Sequence, residues 1–318
     1  MKRFKLLSTL LSALLSTLLS ACLLSFGLLS GANAQPFPDK TIQYIIPFPA
    51  AGESDLVARY QAEISARKFN QPMVVINRAG AGGALVWSAL NTYPADGTTV
   101  VGINIPHTIL QPLQEGIQYK TEDINAIYYY HFTPDALMVS ADSPYKTYQE
   151  FVAAAKKDPG KMSLAGSAQF SANHMAVERL NKLAGVKINY IPFKGTGDLI
   201  TALIGMHVDG AMGYLPLAAI ATEKRNPALP DVPTFKELGL NWVDGAYRGV
   251  AVPKATPLIL QQKLSDYFAK LNADPETKKK LEDTGFVIVD VPLAKMPAFM
   301  KEKIPQAMED AKNAGMIK

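Results

Sequence analysis

The amino-acid sequence predicts an α/β protein built as two Rossmann-like lobes. Short apolar runs rich in β-branched residues alternate with stretches of helical periodicity. The alternation runs through residues 41–103, and it restarts at 163–212. In both halves a loop of small residues stands between a strand and the next helix. This is the rhythm of parallel sheets flanked by helices.

Residues 41–48 (TIQYIIPF) read as the first strand, ended by Pro47, Pro49 and the small loop Ala50-Ala51-Gly52. Ser54 is placed to cap a helix over 55–69, in which Leu56, Val57, Tyr60 and Ile64 recur at helical spacing. A buried strand at 73–76 leads into Asn77-Arg78-Ala79-Gly80-Ala81-Gly82-Gly83, and 84–90 suits a helix. Asp96-Gly97 turns the chain into a third strand, 98–103. The second half repeats this with a strand at 163–165, a helix over 171–183, a strand at 188–191, a helix over 197–204 and a strand at 210–212. Segments 136–141 and 247–252 are expected to carry the chain between lobes, so residues 35–140 with 249–318 form lobe 1 and 141–248 form lobe 2. The last third holds helices over 257–272, 275–283 and 294–314 and a strand at 286–289. Pro257 and Pro275 suit first helical turns, and Gly315 suits a helix stop.

The 318 residues carry 32 basic and 28 acidic side chains, a net charge of +4. Lys2, Arg3 and Lys5 lie in 1–34, a segment without Asp or Glu. Without it 29 basic residues face 28 acidic ones, a net +1, and no basic stripe suggests nucleic acid. The segment reads as an export signal: a cationic start, a long Leu-Leu-Ser-rich run and the small-residue site Ala32-Asn33-Ala34. An uncleaved anchor and a lipoprotein box at Leu19-Ser20-Ala21-Cys22 compete with it. The frequent Ser and the cleavage site oppose the anchor, and the apolar run past Cys22 through Leu29 opposes lipidation. A mature chain of 284 residues would then lack cysteine, which excludes disulfides, thiolate metal sites and thiol nucleophiles.

Enzyme signatures fail. The chain has no Gly-x-Ser-x-Gly elbow and no His-Glu-x-x-His pair, and Lys194-Gly195-Thr196-Gly197 lacks the glycine spacing of a phosphate loop. Gly80-Ala81-Gly82-Gly83 lacks the third glycine of a dinucleotide loop and reads as a tight turn. His174 and Glu178 share a helix face without a third ligand, so no metal and no cofactor are expected. The Tyr128-Tyr129-Tyr130 run with His131 and Phe132 suggests an aromatic cage, but it alternates faces at strand spacing and reads as core. The positive signal is a pair of small-residue loops ahead of helix starts, where backbone N–H groups and the helix dipole favour an anion. The first is Pro49, Ala50, Ala51, Gly52, Glu53, Ser54 and Asp55; the second is Gly166, Ser167, Ala168, Gln169, Phe170 and Ser171.

These residues resemble a known family, the periplasmic substrate-binding receptors of tripartite tricarboxylate transporters, or Bug-type receptors. The resemblance covers essentially the whole mature chain. It rests on Phe37-Pro38-Asp39-Lys40, Pro47-Phe48-Pro49-Ala50, Asn77-Arg78, Gly80-Ala81-Gly82-Gly83, Pro94-Ala95-Asp96-Gly97, Lys194-Gly195-Thr196 and Val208-Asp209-Gly210. Further motifs are 226–234 (NPALPDVPT) and 252–257 (VPKATP). It implies a periplasmic binding protein with a hinge, an interlobe cleft that closes on a small organic carboxylate, and a membrane permease as partner. It also implies a non-enzymatic monomer that holds a proximal carboxylate between the two loops through backbone amides and waters.

Departures from the family pattern bear on the ligand. Glu53 replaces a usual glycine and is expected to point outward or to meet a polar ligand group. Gly213-Tyr214 replaces an Asp-Asn pair, so Tyr214 offers an aromatic wall. Arg248 in Ala246-Tyr247-Arg248-Gly249 is a candidate fork for a distal carboxylate, with a surface ion pair as its alternative, and His107 is a further cleft candidate. Together these point to an aromatic dicarboxylate, and the chain looks most like a terephthalate-binding receptor. Segment 217–222 is too short for the family's helix, turn and strand: either the helix and turn are lost, or the strand is. The alternative reading is a secreted hydrolase using Ser167, Ser171, His174 and Glu178 in the cleft. A sensory protein reporting ligand to a membrane partner would share the receptor's site.

Overall fold

A computed structural model describes residues 40–213, 218–227 and 229–318. The export signal, Cys22 and Tyr214 lie outside them. The first sheet begins with β1 (Ile42–Ile46), followed by α1 (Glu53–Phe69), β2 (Met73–Asn77), α2 (Ala84–Ala89), β3 (Thr99–Ile105) and the short α3 (His107–Leu110). β4 (Ala126–Pro134) then runs to the first crossing. The second sheet comprises β5 (Ala136–Met138), α4 (Tyr148–Lys157), β6 (Ser163–Ser167), α5 (Ala172–Ala184), β7 (Asn189–Phe193), α6 (Thr196–Ile204), β8 (Gly210–Gly213) and β9 (Ala219–Ile220). The chain returns through β10 (Gly245–Ala251), then α7 (Leu258–Ala273), α8 (Pro275–Asp283), β11 (Val287–Pro292) and α9 (Met296–Asn313).

The first sheet has the order β11-β4-β10-β3-β1-β2 and the second β7-β6-β8-β5-β9. β1 pairs in parallel with β2 and β3, and β6 with β7 and β8. The strands next to the crossings are antiparallel to their neighbours: β10 to β3 and β4, and β5 to β8 and β9. The core of the first sheet includes Tyr44, Ile45, Trp87, Ile103 and Phe268, all essentially inaccessible to water. The second packs Phe151, Leu164, Leu180, Phe235 and Trp242. Each such side chain contributes about 1.5–3 kcal/mol by leaving water. Tyr128, Tyr129 and Tyr130 are buried in β4, as core side chains.

Several boundaries move. α1 starts at Glu53 with an extended Gly52 as its N-cap, so Ser54 sits in the first turn and caps nothing. Pro257 is likewise an N-cap, whereas Asp274 caps α8 and Pro275 follows it. The changeovers expected at 140/141 and 248/249 fall elsewhere. β5 at 136–138 already belongs to the second sheet, and Arg248 lies inside a first-sheet strand. The chain therefore crosses at Asp135, and crosses back between β9 and β10. The shortened segment keeps its strand: β9 pairs with β5, and Ala221 N–H donates to Asp135 C=O at 2.8 Å.

The crossings are tied by a charge cluster. Asp135 N–H donates to Asp244 C=O at 2.9 Å, and the Asp244 carboxylate accepts from Arg179 on α5. Arg179 also lies 3.4 Å from Asp310 on α9, and Lys182 donates to Asn313 C=O at 2.7 Å. The Arg179 guanidinium lies 5.8 Å from the ring of Trp242, which stacks on Phe235 at 4.2 Å. Burial, reinforced by Asp244 and only partly offset by Arg179, pushes the Asp135 carboxyl from its ordinary 3.8 up to about 8.

Candidate ligand-binding site

The two lobes meet through small residues. A Cβ on Gly195, at an extended φ of 178°, would lie 2.7 Å from Pro49 Cδ, and one on Gly197 would lie 3.1 Å from Ala50 C=O. Gly82 has φ +61°, and a Cβ there would lie 2.2 Å from Ala168 Cβ. Any larger residue at these positions would hold the lobes apart. Ala51 and Ala168, at φ 62° and 59°, take the left-handed backbone that glycine adopts more readily, each at about 1–2 kcal/mol.

Behind these contacts lie two adjoining cavities of about 10 Å³ each, room for about one water apiece. Gly52, Glu53, Ser54, Asn104, His107, Ser167, Thr196 and Arg248 line the first with Phe48. Glu53, Thr133, Asp135, Ala172, Asn173, Thr196 and Arg248 are among those lining the second. Three helices thus begin at the cavities: α1 at Glu53, α5 at Ala172 and α6 at Thr196. Their first-turn N–H groups lack intrahelical acceptors and carry the positive end of the dipole.

Glu53 neither points outward nor stands free. It is 4% exposed, and its Oε2 accepts from Arg248 Nη2 at 2.8 Å. Oε1 accepts from Thr133 Oγ1 at 2.5 Å and lies 3.3 Å from His131 Nε2. Burial alone would raise its pKa, but the charge of Arg248 and the hydrogen bonds of His131 and Thr133 hold it at about 2. Arg248 is therefore neither an unoccupied fork nor a surface residue: it is 8% exposed, with one arm on Glu53. Its Nε and Nη1 have no hydrogen-bond partner among the described residues. His107 is buried too, and desolvation followed by the charge of Arg248 lowers its pKa to about 3, so it is neutral. Its ring meets Phe48 and Trp87 edge-on, at 6.0 and 6.4 Å. The Trp87 indole N–H donates to Gly102 C=O at 3.0 Å.

Of the residues expected from sequence, Gly52, Glu53, Ser54, His107, Ser167 and Arg248 reach the cavities. Asp55 does not. It accepts from Ala51 N–H and Arg59 at 2.9 and 3.0 Å and so shapes the loop. Pro49, Ala50 and Ala51 form the contact rim, and Gln169 is exposed. The second loop is knit internally. Ser167 N–H donates to Asn173 Oδ1, Ala168 N–H to Phe193 C=O, and Phe170 N–H to His174 Nδ1. Ser171 caps α5 by accepting from His174 N–H. These bonds occupy the hydrolase candidates. Ser171 Oγ donates to Ala168 C=O, Ser167 Oγ bonds Asn173, and the His174 ring stacks on Tyr190 at 4.4 Å, so neither serine meets an imidazole. Among the described residues no three His, Cys, Asp or Glu side chains group as a metal site. His131, Thr133, Asp135, Asn173 and Thr196 were not anticipated; only Thr196 carried a signal, within Lys194-Gly195-Thr196.

The family model described as Tripartite tricarboxylate transporter family receptor matches residues 57–309. The chain belongs to this receptor family. The UPF0065 protein in the gbd 5'region of Cupriavidus necator is 33% identical over 79% of the chain and 80% of its own length. Protein BugT of Bordetella pertussis is 30% identical over 72% and 76%. Among solved structures, the periplasmic binding protein BugD superposes with a TM-score of 0.81 at 26% identity, covering 88% of this chain and 99% of its own. R. palustris Rpa4515 with adipate gives 0.82 at 23% identity, over 88% and 98%, and shares the fold. The chain is thus a solute-binding receptor with the periplasmic binding protein fold.

Proposed function

We propose that this receptor captures a small organic carboxylate between its lobes and presents the closed form to a membrane permease. The carrying observation is the convergence of the α1, α5 and α6 N-termini on one buried polar space beside Arg248. Backbone donors there suit a proximal carboxylate, and Arg248 Nε and Nη1 suit a second polar group of the ligand. In the described conformation the cavities are too small for a ring-bearing ligand. Such a ligand enters when the lobes part, and a ligand touching both lobes shifts the population toward closure.

The finer reading is a terephthalate-like aromatic dicarboxylate with its far carboxylate on Arg248. The engagement of Arg248 by Glu53 favours a second one, a monocarboxylate with a neutral polar far end. Titration with aliphatic and aromatic mono- and dicarboxylates tests the class. A ligand at 100 times its Kd stabilises the folded chain by about 2.7 kcal/mol. Absence of heat and of thermal shift with every compound would overturn the carboxylate reading, and recovery of unchanged ligand distinguishes capture from hydrolysis.

A further inference from the structure

The charge balance around Arg248 bears on what the far end of the ligand carries. Glu53 Oε2 holds Nη2 at 2.8 Å, and Glu53 is otherwise satisfied by Thr133 and His131. This carboxylate is ionised and fixed, because three donors face it in a space closed to bulk water. His107, its pKa lowered to about 3 by desolvation and the charge of Arg248, adds no positive charge, and burial lowers the pKa of His131 as well. Asp135 lines the second cavity together with Arg248 and Glu53, and its Oδ2 is buried without a hydrogen-bond partner among the described residues. The guanidinium therefore already faces one carboxylate and lies beside a second carboxyl. Its Nε and Nη1 remain as directional donors whose net charge is cancelled.

We propose that Glu53 is a built-in counter-carboxylate to Arg248, so that the receptor takes a monocarboxylate whose far end is an uncharged acceptor such as a carboxamide or hydroxyl. This rests on the carboxylate reading of the cleft and narrows it. A neutral oxygen takes the hydrogen bonds of Nε and Nη1 and gives up little hydration. A second ligand carboxylate would have to be desolvated beside Glu53 with no net positive charge to offset it. The helix starts remain for the single anionic end.

Two matched pairs test the proposal by calorimetry at neutral pH: terephthalate against its monoamide, and adipate against its monoamide. Each pair keeps shape and changes only the charge of one end. The wild-type receptor binds the monoamide of whichever pair it accepts more tightly, by on the order of tenfold. Glu53→Gln keeps an acceptor for Arg248 and removes the counter-charge, and it is expected to reverse the order in favour of the diacid. If that variant unfolds, the double variant Glu53→Gln/Arg248→Gln, which also has no net charge at the far end, should keep the preference for the monoamide at lower affinity. A wild-type preference for the diacid, a Glu53→Gln variant that leaves the ratio unchanged, or a double variant that prefers the diacid would overturn the proposal while leaving the carboxylate reading standing. Failure of these four compounds and of the whole mono- and dicarboxylate panel to bind would overturn the carboxylate reading, and this proposal with it.

Discussion

At the cleft, one carboxylate meets one guanidinium, Glu53 with Arg248. At the crossing, three carboxyl groups, Asp135, Asp244 and Asp310, share Arg179. Both clusters are substantially buried, yet they hold protons oppositely: the Glu53 carboxyl is held at about 2 and that of Asp135 is raised to about 8. Burial raises both. The sign of the result depends on whether enough cation and hydrogen-bond donors face each acid. The cleft therefore carries fixed, cancelling charges, whereas the crossing stores a proton between the lobes.

The strongest way to break this contrast is Arg248→Ala. It leaves Glu53 buried with its cation gone, and is expected to lower stability by about 3–5 kcal/mol in denaturant unfolding. A loss under 1 kcal/mol would show that Glu53 is not held as a charge. Next is the pH response. Glu53 contributes stability above its ordinary 4.5 that is lost as pH falls toward about 2. Asp135 does the reverse: its contribution is full below 3.8 and is lost as pH rises through about 8. Asp135→Asn should therefore gain on wild type as pH rises, by up to about 1.4 kcal/mol per pH unit, in unfolding curves at matched pH. Because the buried histidines are common to both proteins, their titration largely cancels in the difference. A flat difference curve would place Asp135 on the same footing as Glu53.

Gly195→Ala sharpens the comparison by leaving both clusters intact. Its extended backbone suits alanine, but the added Cβ meets Pro49 only when the lobes are together. We expect the ligand-free receptor to shift toward the open form and binding to weaken by about tenfold, roughly 1.4 kcal/mol. Equal affinity would mean that ligand is held with the lobes apart. The smallest effect belongs to Ser171→Ala, which removes the cap of α5 at the cleft for about 1 kcal/mol of stability. It should leave the difference curve of Asp135→Asn in place.

The alternation of apolar runs and helical stretches made both sheets legible, and the small loops at 49–55 and 166–171 marked where they meet. What local sequence did not carry was pairing over distance. Glu53 and Arg248 stand 195 positions apart, and nothing near Glu53 announces a guanidinium. His131 and Thr133 were obscured by the tyrosine run before them, whose strand spacing correctly indicated core. Gly52 reads as loop, although its extended backbone is the N-cap of α1, which makes Glu53 the first residue of the helix. The crossing at Asp135 was misplaced by five residues because the three-residue strand β5 is too short to show its own period.

The chain has two tryptophans, one beside each cluster. Trp87 contacts Phe48 and His107 at the cleft, and Trp242 lies under Arg179 at the crossing. With either indole replaced by phenylalanine, the emission of the other becomes a local optical reporter. Ligand capture would be read at Trp87, and proton uptake between the lobes at Trp242, in one cuvette and without a dye.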